Sequence, residues 1–133
     1  MNIVDTKMCF GCGKKNKFGL QLEFSLEKGK AITEFTLKPQ FQGWNDIAHG
    51  GIVATVLDEA MAWAIKSLNI KAVTAEMNVK YRQPTPIGKS LKVIGNILES
   101  KGRAIFTEAK IIDNEEILAT ATATYIKIKE GFE

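Results

Sequence analysis

The segment His49-Gly50-Gly51-Ile52-Val53-Ala54-Thr55-Val56-Leu57-Asp58-Glu59-Ala60-Met61-Ala62-Trp63-Ala64-Ile65 constrains the chain most, because it sets two adjacent carboxylates in a helix that is otherwise apolar on nearly every side. From Ile52 to Ile65 only Thr55, Asp58 and Glu59 are polar, so the helix belongs in a core. A carboxylate there is costly to desolvate unless it is partnered or has work to do. The helix opens on a Gly-Gly pair behind the only histidine. The backbone N–H groups of Gly50 and Gly51 therefore stand at a positive helix end, open to an oxygen that carries negative charge.

Spacing adds a statement about assembly. Asp58 follows Gly50 by eight residues, roughly 12 Å along a helix axis at about 1.5 Å per residue. A base and an oxyanion donor must both come within about 3 Å of one reacting group. One helix cannot supply both, so the pattern predicts two antiparallel copies of the helix across a two-fold axis, with Gly50 of one chain facing Asp58 of the other. A homodimer is expected, and a dimer of dimers is compatible with it.

Length and hydrophobic content, 133 residues and 45%, fit a single domain over 1–133 with a cysteine-containing N-terminal leader over 1–18. The net charge of +3 is spread without a basic block, so nucleic-acid binding has no support. Residues 1–7 lack the apolar run of a signal peptide, and the central helix is too short and too acidic to span a bilayer. The expected setting is cytoplasmic, with no membrane partner. Lys80, Arg82, Lys101 and Arg103 are candidates for the phosphates of a phosphorylated ligand. Cys9 and Cys12, in Cys9-Phe10-Gly11-Cys12-Gly13, make half of a tetrahedral zinc site that would need His49, a carboxylate or a second chain to complete it. The expectation is a metal-free, Gly-rich turn whose cysteines are small buried apolar groups.

Period-two alternation marks a strand over Leu20–Leu26, a turn at Glu27-Lys28-Gly29-Lys30 and a second strand over Ala31–Leu37. Gln40–Ala48 reads as a loop. Further strands are expected from Val73 to Arg82, Leu91 to Leu98, Ala104 to Ile112 and Ile117 to Ile128. Thr74 falls on the polar face of its strand, with Glu76, Asn78 and Lys80. Ala119, Ala121 and Ala123 offer a small-residue face against which a thick helix can lie. The expected class is α+β, an antiparallel curved sheet of about six strands wrapped around one long central helix. Trp44 and Trp63 are expected in the core or lining a pocket.

This order, with His49-Gly50-Gly51 opening the helix and an acid nine positions after the histidine, resembles the hotdog-fold acyl-CoA thioesterases. The runs HGGIVATVLDEAMAWA and VTAEMNVKYRQP are similar to the phenylacetate-pathway and thioesterase-superfamily branch, which is 4-hydroxybenzoyl-CoA thioesterase-like. The resemblance implies hydrolysis of an acyl-CoA substrate to free acid and CoA, without a cofactor. By it Asp58 is the catalytic carboxylate, base or nucleophile; the Gly50 N–H polarises the thioester carbonyl; Thr74 helps hold the attacking water. His49 positions the helix start and contacts substrate. Many relatives carry Asn or Gln six residues before the histidine, where this chain has Gly43; Asn45 is the near substitute. Glu59 points about 100° away from Asp58 and is assigned to structure or an interface. No serine–histidine pair with a nucleophile elbow appears, so a serine mechanism is not expected. The alternative in another class is a hotdog module that binds acyl-CoA without turnover.

Overall fold

The computed structural model describes residues 3–129. Its elements are β1 (Ser25–Glu27), β2 (Lys30–Thr36), a 3-10 turn (Pro39–Phe41), α1 (Gly50–Lys66), β3 (Ala72–Tyr81), β4 (Ser90–Lys101), β5 (Ala104–Asp113) and β6 (Glu116–Lys127). The strands form one sheet in the order β1-β2-β4-β5-β6-β3, with every neighbouring pair antiparallel. β3, the strand that follows the helix, stands at an edge of the sheet beside β6.

The helix lies in the core because its apolar residues run all the way round. Val53, Val56, Leu57, Ala60, Met61, Ala64 and Ile65 are buried against inward-facing residues of the sheet, among them Leu91, Val93, Ile105 and Ile111. The approach is close. A side chain at Gly95 in β4 would land on the backbone of Ala60, so only glycine lets the helix settle there. Ala119, Ala121 and Ala123 of β6 are buried in the same core.

The Leu20–Leu26 strand is shorter than its alternation suggests. Leu22 is buried and Leu20 and Phe24 are partly buried, as a period of two requires, yet only Ser25–Glu27 pair with β2. Upstream, the Leu20 and Leu22 amides donate to the carbonyls of Phe10 and Gly11 at 2.8 and 3.0 Å, and Gln21 takes a left-handed φ of 52° that breaks the extended run. The cysteine turn thus takes the main-chain partners that a sheet would have used.

A second departure shapes the site. The β3–β6 register pairs Glu76 with Thr124 but Thr74 with Tyr125, leaving Ala75 as an extra residue in a β-bulge. One extra residue reverses which side chains face the helix. Met77 and Val79 pack on the core from the odd positions, and the bulge brings the even-numbered Thr74 to that same side, off the polar face expected for it.

Candidate active site

Asp58 stands midway along α1, half-buried, facing the β3–β6 side of the sheet. The Thr74 hydroxyl donates to its Oδ1 at 3.0 Å. The Tyr125 hydroxyl donates to the same Oδ1 and lies 2.9 Å from the Asp58 backbone oxygen. Oδ1 is therefore held by two hydroxyls, while Oδ2 has no hydrogen-bond partner among the described residues. Burial and the Asp58 charge both push the Tyr125 phenol above its ordinary range, so Tyr125 stays a donor. Although its helix belongs to the core, Asp58 is only half-buried and is oriented by hydroxyls.

The start of the helix is organised separately. His49 is its N-cap: Nδ1 accepts from the Gly51 N–H at 2.9 Å, which places the ring proton of a neutral imidazole on Nε2. The His49 amide donates to Phe41 O at 2.9 Å. The Gly50 carbonyl accepts from the Tyr81 hydroxyl at 2.8 Å. The Gly50 N–H finds no acceptor among the described residues and sits on an exposed surface. Asp58 and Gly50 thus lie beside opposite ends of β3, one against Thr74 and one against Tyr81.

The remaining candidates are dispersed. Asn45 is exposed in the loop before the helix, its amide 3.4 Å from Asp46 Oδ2. A Cβ at Gly43 would come within 3.2 Å of His49 Cα, a tight fit against the start of the helix. Arg82 opens onto an outer groove of about 620 Å3 shared with Lys80 and Lys110. Lys101 and Arg103 lie at the opposite end of the sheet in the β4–β5 turn, where Arg103 Nη2 donates to Lys127 O at 3.1 Å. The four candidate cations thus fall in two places, Lys80 and Arg82 at one end of the sheet and Lys101 and Arg103 at the other. Trp44 is 83% exposed and lies in neither core nor pocket, whereas Trp63 stacks on Phe24 with 6.3 Å between ring centroids.

Two groups escaped the sequence reading. Tyr125 is the one inward residue of β6 after the alanines that carries a hydroxyl, and Tyr81 closes the inward series of β3. An aromatic with a polar tip, at the end of an inward-facing row, was the available signal.

Comparison with known proteins gives this geometry a family. Residues 45–120 match the model of the Thioesterase superfamily, which is more than half of the chain. The chain belongs to that superfamily, and its sheet and helix form a hotdog fold. It is 28% identical over 116 residues to mouse acyl-coenzyme A thioesterase THEM4, covering 83% of this chain and 50% of that protein. The chain spans about half the length of the THEM4 relatives it matches. Among solved structures, the PaaI protein of the E. coli phenylacetic acid degradation operon superposes with a TM-score of 0.77 at 20% identity, over 83% of this chain and 81% of that one. The smu.793 protein of Streptococcus mutans, bound to acetyl CoA, gives 0.76 at 20% identity over 86% and 96%. Among the described residues no helix is long and apolar enough to cross a membrane.

Proposed function

We propose that this chain hydrolyses acyl-CoA thioesters to free acid and CoA, with each active site shared between two subunits. The observation that carries the reading is the division of labour on Asp58. Two hydroxyls fix Oδ1, and Oδ2 is left to take a proton from water. As Oδ2 accepts that proton, the water oxygen bonds to the thioester carbon and the carbonyl oxygen becomes an oxyanion. The C–S bond then breaks, and the departing sulfur recovers the proton as the CoA thiol forms. General-base assistance of this kind contributes about 10²–10⁴ in rate. The thioester-hydrolase names of the THEM4 relatives support the same substrate class.

The oxyanion needs a donor, and the Gly50 N–H of the same chain is roughly 12 Å away along the helix. A second copy, paired antiparallel along the exposed edge of β3, brings its own Gly50 toward Asp58. A dimer then carries two sites, and one backbone donor contributes about 3 kcal/mol to the transition state.

Complementation tests this. A Cβ at Gly50 would have the Tyr81 side chain as its nearest neighbour, at an ordinary contact distance of 3.6–3.8 Å, so Gly50→Leu begins where the fold has room. Subunit exchange between Asp58→Asn and Gly50→Leu chains makes a heterodimer with one site carrying both lesions and one carrying neither. Thiol release from an acyl-CoA panel should return to about half that of a wild-type dimer, because the intact site keeps all its contacts. Exchanged heterodimers that stay inactive would overturn the shared site. A wild-type chain that binds acyl-CoA and releases no thiol from any of the panel would instead identify a binding module.

A further inference from the structure

The Cys9–Gly13 turn makes none of the hydrogen bonds to Asp58, yet it rests on the same helix. The turn is closed by the Gly13 amide, which donates to Cys9 O at 2.8 Å. Neither cysteine is the buried apolar group expected from the sequence: Cys9 is exposed and Cys12 half-exposed. Cys9 Sγ lies 3.6 Å from Glu59 Oε1. The two sulfurs and a Glu59 carboxylate oxygen all fall within 4.8 Å of one another. Gly11 is glycine because a Cβ there would land on the Glu59 side chain, so the turn sits directly on the carboxylate.

Glu59 is the puzzle in this corner. It is 9% exposed, and it makes no salt bridge among the described residues. Lys66, one candidate partner, lies over the Trp63 ring at 4.4 Å from its centroid. A buried carboxylate that faces two thiols and makes no salt bridge is an expensive arrangement unless a cation joins it.

We propose that Cys9, Cys12 and Glu59 bind a zinc ion through two thiolates and one carboxylate oxygen, with water in the fourth position, and that the ion fastens the N-terminal leader to α1. Tetrahedral bonds of about 2.3 Å to sulfur and about 2.0–2.2 Å to oxygen set a sulfur–oxygen edge of roughly 3.5–3.7 Å. The Cys9–Glu59 separation of 3.6 Å already has that length. Paired thiolates select zinc over magnesium or calcium, which prefer all-oxygen shells. The thiol protons leave to solvent as the ion binds. Beside the cluster a surface cavity of about 690 Å3, lined in part by Met8, Trp63 and Lys66, gives the fourth ligand access. Glu59 is thereby the carboxylate that the Cys-x-x-Cys pair lacked in the sequence. Binding here neither requires nor supplies hydrolysis by Asp58.

The test uses the full chain with reduced thiols. Zinc content after gel filtration should reach about one ion per chain, and cobalt(II) should give the near-ultraviolet sulfur-to-cobalt charge-transfer band and intense visible bands of a tetrahedral thiolate site. Cys9→Ser alters an exposed residue and keeps the fold, as circular dichroism would check; it should abolish the charge-transfer band. Glu59→Gln should weaken zinc by at least about tenfold, the loss that even an outer partner's removal brings. Zinc below about a tenth of an equivalent in folded, reduced wild type, with no cobalt band, would overturn the site. So would a cobalt spectrum that Cys9→Ser leaves unchanged, or isolation of the chain as a metal-free Cys9–Cys12 disulfide that binds no zinc once reduced.

Discussion

Asp58 and Glu59 are neighbours in the chain, yet the fold treats them in opposite ways. They leave the helix about 100° apart. Asp58 turns toward β3 and β6, where Thr74 and Tyr125 hold one oxygen and leave the other without a partner among the described residues. Glu59 turns away, under Gly11 and the cysteine pair, and is buried. A carboxylate that is oriented but left open keeps its basicity usable, whereas one that is covered must find its compensation in packing or in a cation. The contrast teaches that an acidic pair in an apolar helix is a question, answered by the strands and leader that close over each side.

The contrast breaks hardest at Asp58. Asp58→Asn keeps size and both hydroxyl contacts but removes the base, and should lower kcat for acyl-CoA hydrolysis by roughly 10²–10⁴ with little change in thermal midpoint. A loss below about tenfold would remove Asp58 from the chemistry. Next comes Tyr125→Phe. A hydrogen bond to a charged group is worth about 1.5–3 kcal/mol, and in this buried corner water cannot easily replace it, so kcat should fall by roughly 10–100-fold. The same variant has a pH signature. Because the folded-state phenol is shifted upward, its contribution to stability is complete below the unfolded value near 10 and is lost as pH rises above it. Phenolate absorbance of folded wild type and Tyr125→Phe should therefore coincide up to about pH 11 and differ by one tyrosine only after alkaline unfolding.

Thr74→Val should matter less. Its hydroxyl is exposed, and water can take its place on Oδ1, so a fall of about three- to tenfold is expected in steady-state thiol release. An effect as large as that of Tyr125→Phe would show that Thr74 holds the attacking water itself.

How much of this was legible in the sequence follows the range of the forces involved. The helix and the long hairpin strands were readable because each repeats its pattern over many residues: the apolar helix from Ile52 to Ile65, and Val73 to Arg82, Ala104 to Ile112 and Ile117 to Ile128. The first strand was misjudged because alternation reports burial and not main-chain partners, and Leu20 and Leu22 found theirs in the cysteine turn. Alternation alone sets Thr74 on the polar face, because a bulge is a single-residue event that depends on the pairing with β6. Tyr125 was missed because its partner lies 67 positions away. Asp58 itself stood out locally as a charge in an apolar run.

The smallest effect on hydrolysis is expected on the Glu59 side. Gly11→Ala places a methyl group on the Glu59 side chain, and since that carboxylate belongs to the helix core, the leader is the part that must give way. Overpacking of this kind costs about 1–3 kcal/mol, which should appear as a lowered thermal midpoint. The displaced segment also holds the Leu20 and Leu22 amides, so residues 9–22 should become accessible to limited proteolysis before the sheet unfolds. Hydrolysis should stay within about twofold of wild type, because Thr74, Tyr125 and Asp58 lie on the other side of the helix and share no partner with the turn. A loss of activity comparable to that of Asp58→Asn, with the thermal midpoint unmoved, would erase the distinction between the two carboxylates and draw the cysteine turn into the active site.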